Sequence, residues 1–340
     1  MLLTLPPRPR VPRIPDSRPL LTREILFFGG KGGVGKTTLA ASYALMAAER
    51  GWRALLVSTD PAHSTGDVLG AEIGPEPRRI CEHLWALEID PAHEADRYIA
   101  DVKGRIMDAV PPRLVAEVER QIEIARVTPG AEESALFERF TRIMEEVGRR
   151  YDRLLFDTAP LGHTLRLLSL PESMATWMSG LIARRKKVNV LGRMWRTVAG
   201  ASEREGGHDD DSVVTALEER VRRFRAARAL MTDPDRTAFV FVMVPERLPI
   251  AETARATETL ERCGIPIGAV VVNRVLPRCV AGHFLERRQG LETAYLREID
   301  DRFARYPRFR VPLFERDVYG REALGQVVEA LPRSERGVGR

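Results

Sequence analysis

The segment Gly30-Lys31-Gly32-Gly33-Val34-Gly35-Lys36-Thr37 constrains this chain more than any other. It fits the pattern G-x-x-x-x-G-K-[ST], follows a short apolar run at Glu24 to Phe28, and opens a helical pattern from about Lys36 to Arg50. Small residues let successive backbone N–H groups turn inward, and the following helix offers its positive N-terminal end. Strand, turn and helix together predict a nest for phosphate oxygens running from Gly30 to Thr38. Lys36 is placed to reach the β- and γ-phosphates of a nucleoside triphosphate, and the Thr37 hydroxyl to ligate Mg²⁺. Lysine is scarce: it occurs only at 31, 36, 103, 186 and 187, so two of five lie in this loop. A compact ammonium fits among phosphate oxygens as a point charge, which a planar guanidinium does not.

Gly51 closes the helix and Arg53 to Ser58 reads as the next strand. This is a βαβ unit, and so a parallel sheet. Further strands are expected at Leu84 to Ile89, Asp152 to Phe156, Thr237 to Val244, Ile267 to Val272 and Phe309 to Val311, with helices near 284–305 and 320–331. The fold class that follows is α/β, a doubly wound, mostly parallel sheet with an inserted α-helical subdomain. Residues 1–22, rich in Pro and Arg and without periodicity, read as a disordered arm. Residues 23–340 then read as a single phosphate-loop domain with helical insertions near 92–149 and 171–200. Pro111-Pro112 and Pro129-Gly130 break the first insertion. The acidic stretch Glu203 to Asp211 reads as a mobile loop.

No apolar run reaches the roughly 18 to 20 residues of a membrane-spanning helix, and Met1 to Leu5 runs at once into prolines and arginines rather than forming a signal peptide. A cytoplasmic location is expected. The formal charge of +5 is modest for 340 residues, and no aromatic-plus-basic surface signature calls for nucleic acid. Cys81, Cys263 and Cys279 are scattered, which argues against a disulfide framework.

Two carboxylates end predicted strands, where open α/β sheets bind their ligands. Asp60, in Ser58-Thr59-Asp60-Pro61, is the candidate to position an attacking water; a helix-capping aspartate is its plainer reading. Asp157 suits a carboxylate that holds Mg²⁺ through water, or a strand-end turn. Downstream, Gly162 to Leu170 is expected to form a switch helix. No lysine falls in an [NT]-K-x-D guanine-reading motif.

Taken together, Gly29 to Thr38, Ser58 to Asp67 (STDPAHSTGD) and Asp157 to Pro171 (DTAPLGHTLRLLSLP) resemble the ArsA-type ATPases. That family includes the arsenite-pump ATPase and the ATPase that delivers tail-anchored membrane proteins. The similarity continues through Thr232 to Glu252, Val270 to Arg274, Tyr295 to Ile299 and Val311 to Gly320. The resemblance implies a homodimer in which Lys31 reaches the partner's nucleotide. It implies a catalytic switch at Asp60, nucleotide contacts at Glu246 and Asn273, with Asn273 meeting the adenine, and a base-covering loop near Pro312. Read without it, Asn273 is a strand cap and Glu246 a surface charge.

The client that the resemblance implies is a hydrophobic membrane-protein segment, or else an anion or metalloid efflux partner. The apolar run of 171–200, with Trp177 and Trp195, is the candidate client surface, and plain helical core is its other reading. No C-x-x-C is present. Cys279 and His283 stand near its place and leave a metal site shared between two chains open. The segment after Asp157 has no cysteine cluster, so no direct metalloid site is expected. A spatial-partitioning ATPase acting on membrane or DNA is the alternative function, with the last helix as its membrane-seeking element.

Overall fold

The computed structural model describes residues 19–60, 64–107, 115, 119–120, 131–158, 208–277 and 282–335. Contacts group the chain into two compact units: residues 1–91, 143–166 and 231–340 form one, and residues 92–142 and 167–230 the other. The expected helical insertions near 92–149 and 171–200 fall largely within the second unit. Of these, 171–200 lies outside the described residues, as do the breaks at 111–112 and 129–130 and the segment 162–170.

The first unit is an eight-stranded sheet in the order β3-β4-β2-β5-β1-β6-β7-β8. Its strands are β1 (Ile25–Gly29), β2 (Ala54–Ser58), β3 (Arg78–Cys81), β4 (Leu84–Glu88), β5 (Arg153–Asp157), β6 (Thr237–Met243), β7 (Ile267–Val275) and β8 (Arg308–Pro312). All neighbours are parallel except β3 with β4. The central strands β1, β2 and β6 are buried at every position. They therefore read as continuous apolar runs rather than alternating ones. One face carries Phe27 stacked on Phe156 and Phe239, with ring centroids 4.8 and 6.4 Å apart. These three residues are in register across β5, β1 and β6.

The other face is covered by α1 (Lys36–Glu49) and α8 (Gly320–Glu335). Leu324, Val327 and Leu331 of α8 are buried in the same core as Leu39, Tyr43 and Met46 of α1. Burial of each is worth about 1.5–3 kcal/mol, so this helix is a structural layer and not a free amphipathic arm. Among the described residues the unit's other helices are α2 (Ser64–Leu69), α6 (Arg247–Arg262) and α7 (His283–Arg302).

Residues 19–22 depart from the expected arm. They form a 3₁₀ turn that buries Leu20 and Leu21. Gly268 leaves room for it: a Cβ there would lie 2.7 Å from Leu20 Cδ2. The ordered chain therefore starts before residue 23, while 1–18 lies outside the described residues.

In the second unit, α3 (Pro91–Met107), α4 (Ala131–Met144) and α5 (His208–Thr232) are helices. The expected loop at Glu203 to Asp211 is corrected in part, because His208 to Asp211 open α5. Acidic residues favour a helix N-terminus as much as they favour loops, and the sequence reading weighed only the second. Glu138 is buried and accepts from Arg220 Nε at 2.9 Å and Arg223 Nη1 at 2.7 Å, so its charge is paired as burial requires. Phe137 meets Phe224 edge-on at 5.0 Å. Among the described residues no helix is long and apolar enough to cross a membrane.

Candidate active site

Three strands deliver the site. β1 ends at Gly29 and releases the phosphate loop; β5, hydrogen-bonded beside it, ends at Asp157; β2, on the far side of β5, ends at Ser58 two residues before Asp60. The loop needs its glycines. Gly33 and Gly35 have φ of 78 and 94, a left-handed backbone that only glycine adopts without strain. Gly30 passes so close to β6 that a Cβ would stand 2.1 Å from the Val242 carbonyl oxygen.

Lys36, at the first position of α1, is 3% exposed. Its ammonium donates to the Lys31 carbonyl at 3.4 Å and lies 3.8 Å from Asp60 Oδ2. The candidate phosphate-binding cation and the candidate for placing water are therefore neighbours. Asp60 is in turn anchored through its backbone N–H, which donates to Ser58 Oγ at 3.3 Å.

Thr37 Oγ1 donates to Asp157 Oδ2 at 2.6 Å and lies 3.1 Å from Ser64 Oγ. With the Thr37 proton committed to the carboxylate, Ser64 is the donor of that second bond. Asp157 is fully buried, and its other oxygen, Oδ1, has no hydrogen-bond partner. A buried carboxylate oxygen without a partner, beside two hydroxyls, is a set of hard oxygen donors that fits Mg²⁺. The sequence reading missed Ser64, whose hydroxyl joins the site, and Glu88 of β4. Glu88 Oε1 accepts from the backbone N–H groups of Thr65 and Gly66, each at 3.1 Å, and so holds the start of α2.

Burial pushes the Asp157 carboxyl up to about 7, against the Thr37 hydrogen bond and the nearby Lys36 charge, which favour its ionised form. Its unfolded value is 3.8. Between these values the folded chain holds a proton that the unfolded chain has lost. The stability that Asp157 contributes to the metal-free protein is thus fully present below the unfolded value. It is lost as pH rises through about 7. Asp157→Asn removes this titration. Its melting temperature relative to wild type is expected to climb between pH 5 and pH 8 in chelator. A difference that stays flat across that range would contradict the assignment.

Beside the loop lies a cavity of about 660 Å³ lined by Lys31 to Val34, Glu246, Arg274, Tyr295 and Leu313, among others. Glu246 is on its wall, and its carboxylate accepts from Arg288 at 2.7 Å. Pro312, expected at the base-covering loop, ends β8 and is not among the lining residues; Leu313 takes that place. Asn273 is buried behind the loop, its amide nitrogen donating to the Val34 carbonyl at 2.9 Å. Lys31 is half-exposed, 3.6 Å from Glu252 Oε1 of its own chain. His283 opens α7, whereas Cys279 lies outside the described residues.

A family model described as anion-transporting ATPase matches residues 23–333. The chain is 32% identical over 308 residues to the putative arsenical pump-driving ATPase 2 of Aquifex aeolicus, an alignment that covers 91% of this chain and 99% of that protein. It is 32% identical over 313 residues to the ATPase ASNA1 homolog 1 of Paramecium tetraurelia, covering 91% and 92%. A putative arsenical pump-driving ATPase of Halobacterium salinarum is 34% identical over 314 residues; the match covers 90% of this chain but 44% of that one. The family match runs from just before β1 into α8, across the strands whose ends carry the phosphate loop, Asp60 and Asp157, and so this chain belongs to the anion-transporting ATPase family, with ATP hydrolysis as its chemistry.

Proposed function

We propose that the chain works as a homodimeric ATP switch, its nucleotide accompanied by Mg²⁺ at Thr37 and Asp157. When bound, Mg²⁺ neutralises charge on the β- and γ-phosphates. The observation that carries the dimer is Lys31. The loop already has Lys36 for its own phosphates, while Lys31 stands partly in solvent on the wall of the cavity. Its ion pair with Glu252 joins two half-exposed groups, and such pairs are worth at most about 1 kcal/mol. It can therefore be exchanged at little cost for a phosphate held by a second copy. The Halobacterium relative, over twice the length of the match, supports the idea that a second copy supplies what a longer chain contains.

The client that fits this reading best is a hydrophobic helical segment of a membrane protein. A metalloid cargo needs converging thiolates. Cys81 sits in β3 at one edge of the sheet, whereas Cys263 follows α6 on the far side of β6. At about 4.8 Å per strand these two are on the order of 20 Å or more apart within one chain. Service to an anion-efflux partner is the second reading, favoured by the names of the Aquifex and Halobacterium relatives. The spatial-partitioning alternative loses its main feature, because α8 is packed into the core.

Sedimentation with Mg–ATP tests the dimer. Wild type is expected to shift from monomer to dimer. Lys31→Ala should stay monomeric, bind nucleotide nearly as well and lose hydrolysis by about tenfold or more, the loss of one charge-assisted contact. A wild-type protein that remains monomeric, with turnover indifferent to Lys31, overturns the reading.

A further inference from the structure

In a trans peptide, the carbonyl of one residue and the N–H of the next point in opposite directions. A loop that turns its N–H groups in toward phosphates turns the matching carbonyls out, and each of these needs a donor. For Val34, which is 2% exposed, the donor comes from β7: Asn273 Nδ2 donates to its carbonyl oxygen at 2.9 Å. Both residues are buried, so removal of the amide leaves the carbonyl unmet.

The backbone around Asn273 is shaped to hold that amide in place. Ala269 to Asn273 form an unbroken buried run in β7. The pairing of β7 with β8 then shifts register between Val272 and Val275, and Arg274 takes φ 58, a left-handed value rare outside glycine. On the loop side, Gly35 approaches so closely that a Cβ would stand 2.3 Å from Asn273 Nδ2.

We propose that Asn273 is a positioning residue for phosphoryl transfer: by anchoring the Val34 carbonyl, it turns the Gly35 N–H toward the phosphates. This role is separate from any contact with the base. It rests on the ATPase chemistry and not on dimerisation. A side chain that touches only the base acts on affinity, whereas an anchor of the loop acts on the geometry in which the phosphates react.

The test is hydrolysis and backbone hydrogen exchange on full-length Asn273→Ala and Asn273→Asp. In both, kcat at saturating Mg–ATP is expected to fall about tenfold, the effect of a buried acceptor losing its donor. In the nucleotide-free protein, exchange across 30–36 should rise while β1 and β6 stay protected, which also certifies that the variants are folded. An unchanged kcat with a raised KM, together with wild-type exchange in the loop, overturns the proposal and leaves Asn273 a base contact alone. Failure of the ATPase reading would show instead as a wild-type chain without turnover. The exchange comparison would still accept or reject the anchor.

Discussion

Lys36→Ala is expected to weaken ATP binding by about 10- to 100-fold, the worth of one charged hydrogen-bonding group. Asp60→Asn is expected to bind ATP as wild type does and to lose turnover by about 10²-fold, the cost of a misplaced nucleophile. The two residues lie 3.8 Å apart, so a shared phenotype would be the naive expectation. They differ in what they face. Lys36 is nearly sealed, with its ammonium on the loop's own backbone, the place proposed for ground-state phosphates. Asp60 follows β2 and is partly open to solvent, which is where water enters. Asparagine keeps the shape of Asp60 and removes its capacity to accept a proton. Titration calorimetry and phosphate release, measured on one preparation of each variant, check the assignment. Equal loss of nucleotide affinity in both would refute it.

The second large effect is structural. Gly30→Ala drives a methyl group to 2.1 Å from the Val242 carbonyl oxygen, an atom of the adjacent strand that cannot swing away. Gly35→Ala meets Asn273 at 2.3 Å and also puts a side chain on a residue with φ 94. Each should destabilise the fold by about 3 kcal/mol and lower the melting temperature by roughly 5 to 10 °C. Gly32 provides the contrast. A Cβ there meets nothing within 4 Å, so Gly32→Ala should melt with wild type. Calorimetry on the three variants decides the matter, and a uniform change, or none, would show that the loop adapts where the geometry says it cannot.

The parts of the site that were legible in the sequence are those whose chemistry is local. The phosphate loop declares itself because only glycine accepts its backbone angles, and Asp157 because a buried apolar strand ends on a carboxylate. What escaped was set by distant partners. Arg78–Cys81 gave no strand signal: it is four residues long and half-exposed, paired only with β4 at the sheet edge. Ser64–Leu69 is too short for periodicity, and its first turn is held by Glu88 from another strand. The present partner of Lys31, Glu252, comes from α6, far along the sequence, and no local pattern announces it. The turn at 19–22 looked like the end of a Pro- and Arg-rich arm until Gly268, far along the chain, supplied the space that Leu20 fills.

The place of β1 in the sheet has a consequence for how the chain is born. Ile25 pairs with Leu154 on one side and with Thr237 on the other. At roughly 5 to 20 residues per second, the ribosome takes about 10 to 40 seconds to go from β1 to β6. For that interval Ile-Leu-Phe-Phe-Gly, buried at every position in the finished fold, has no neighbour on one edge, and for much of it none on either. Apolar strands with open edges pair with whatever strand arrives first. The segment that delivers the phosphate loop is thus also left open during synthesis. A chain halted before β6 would carry the whole nucleotide motif on a strand still seeking its second partner.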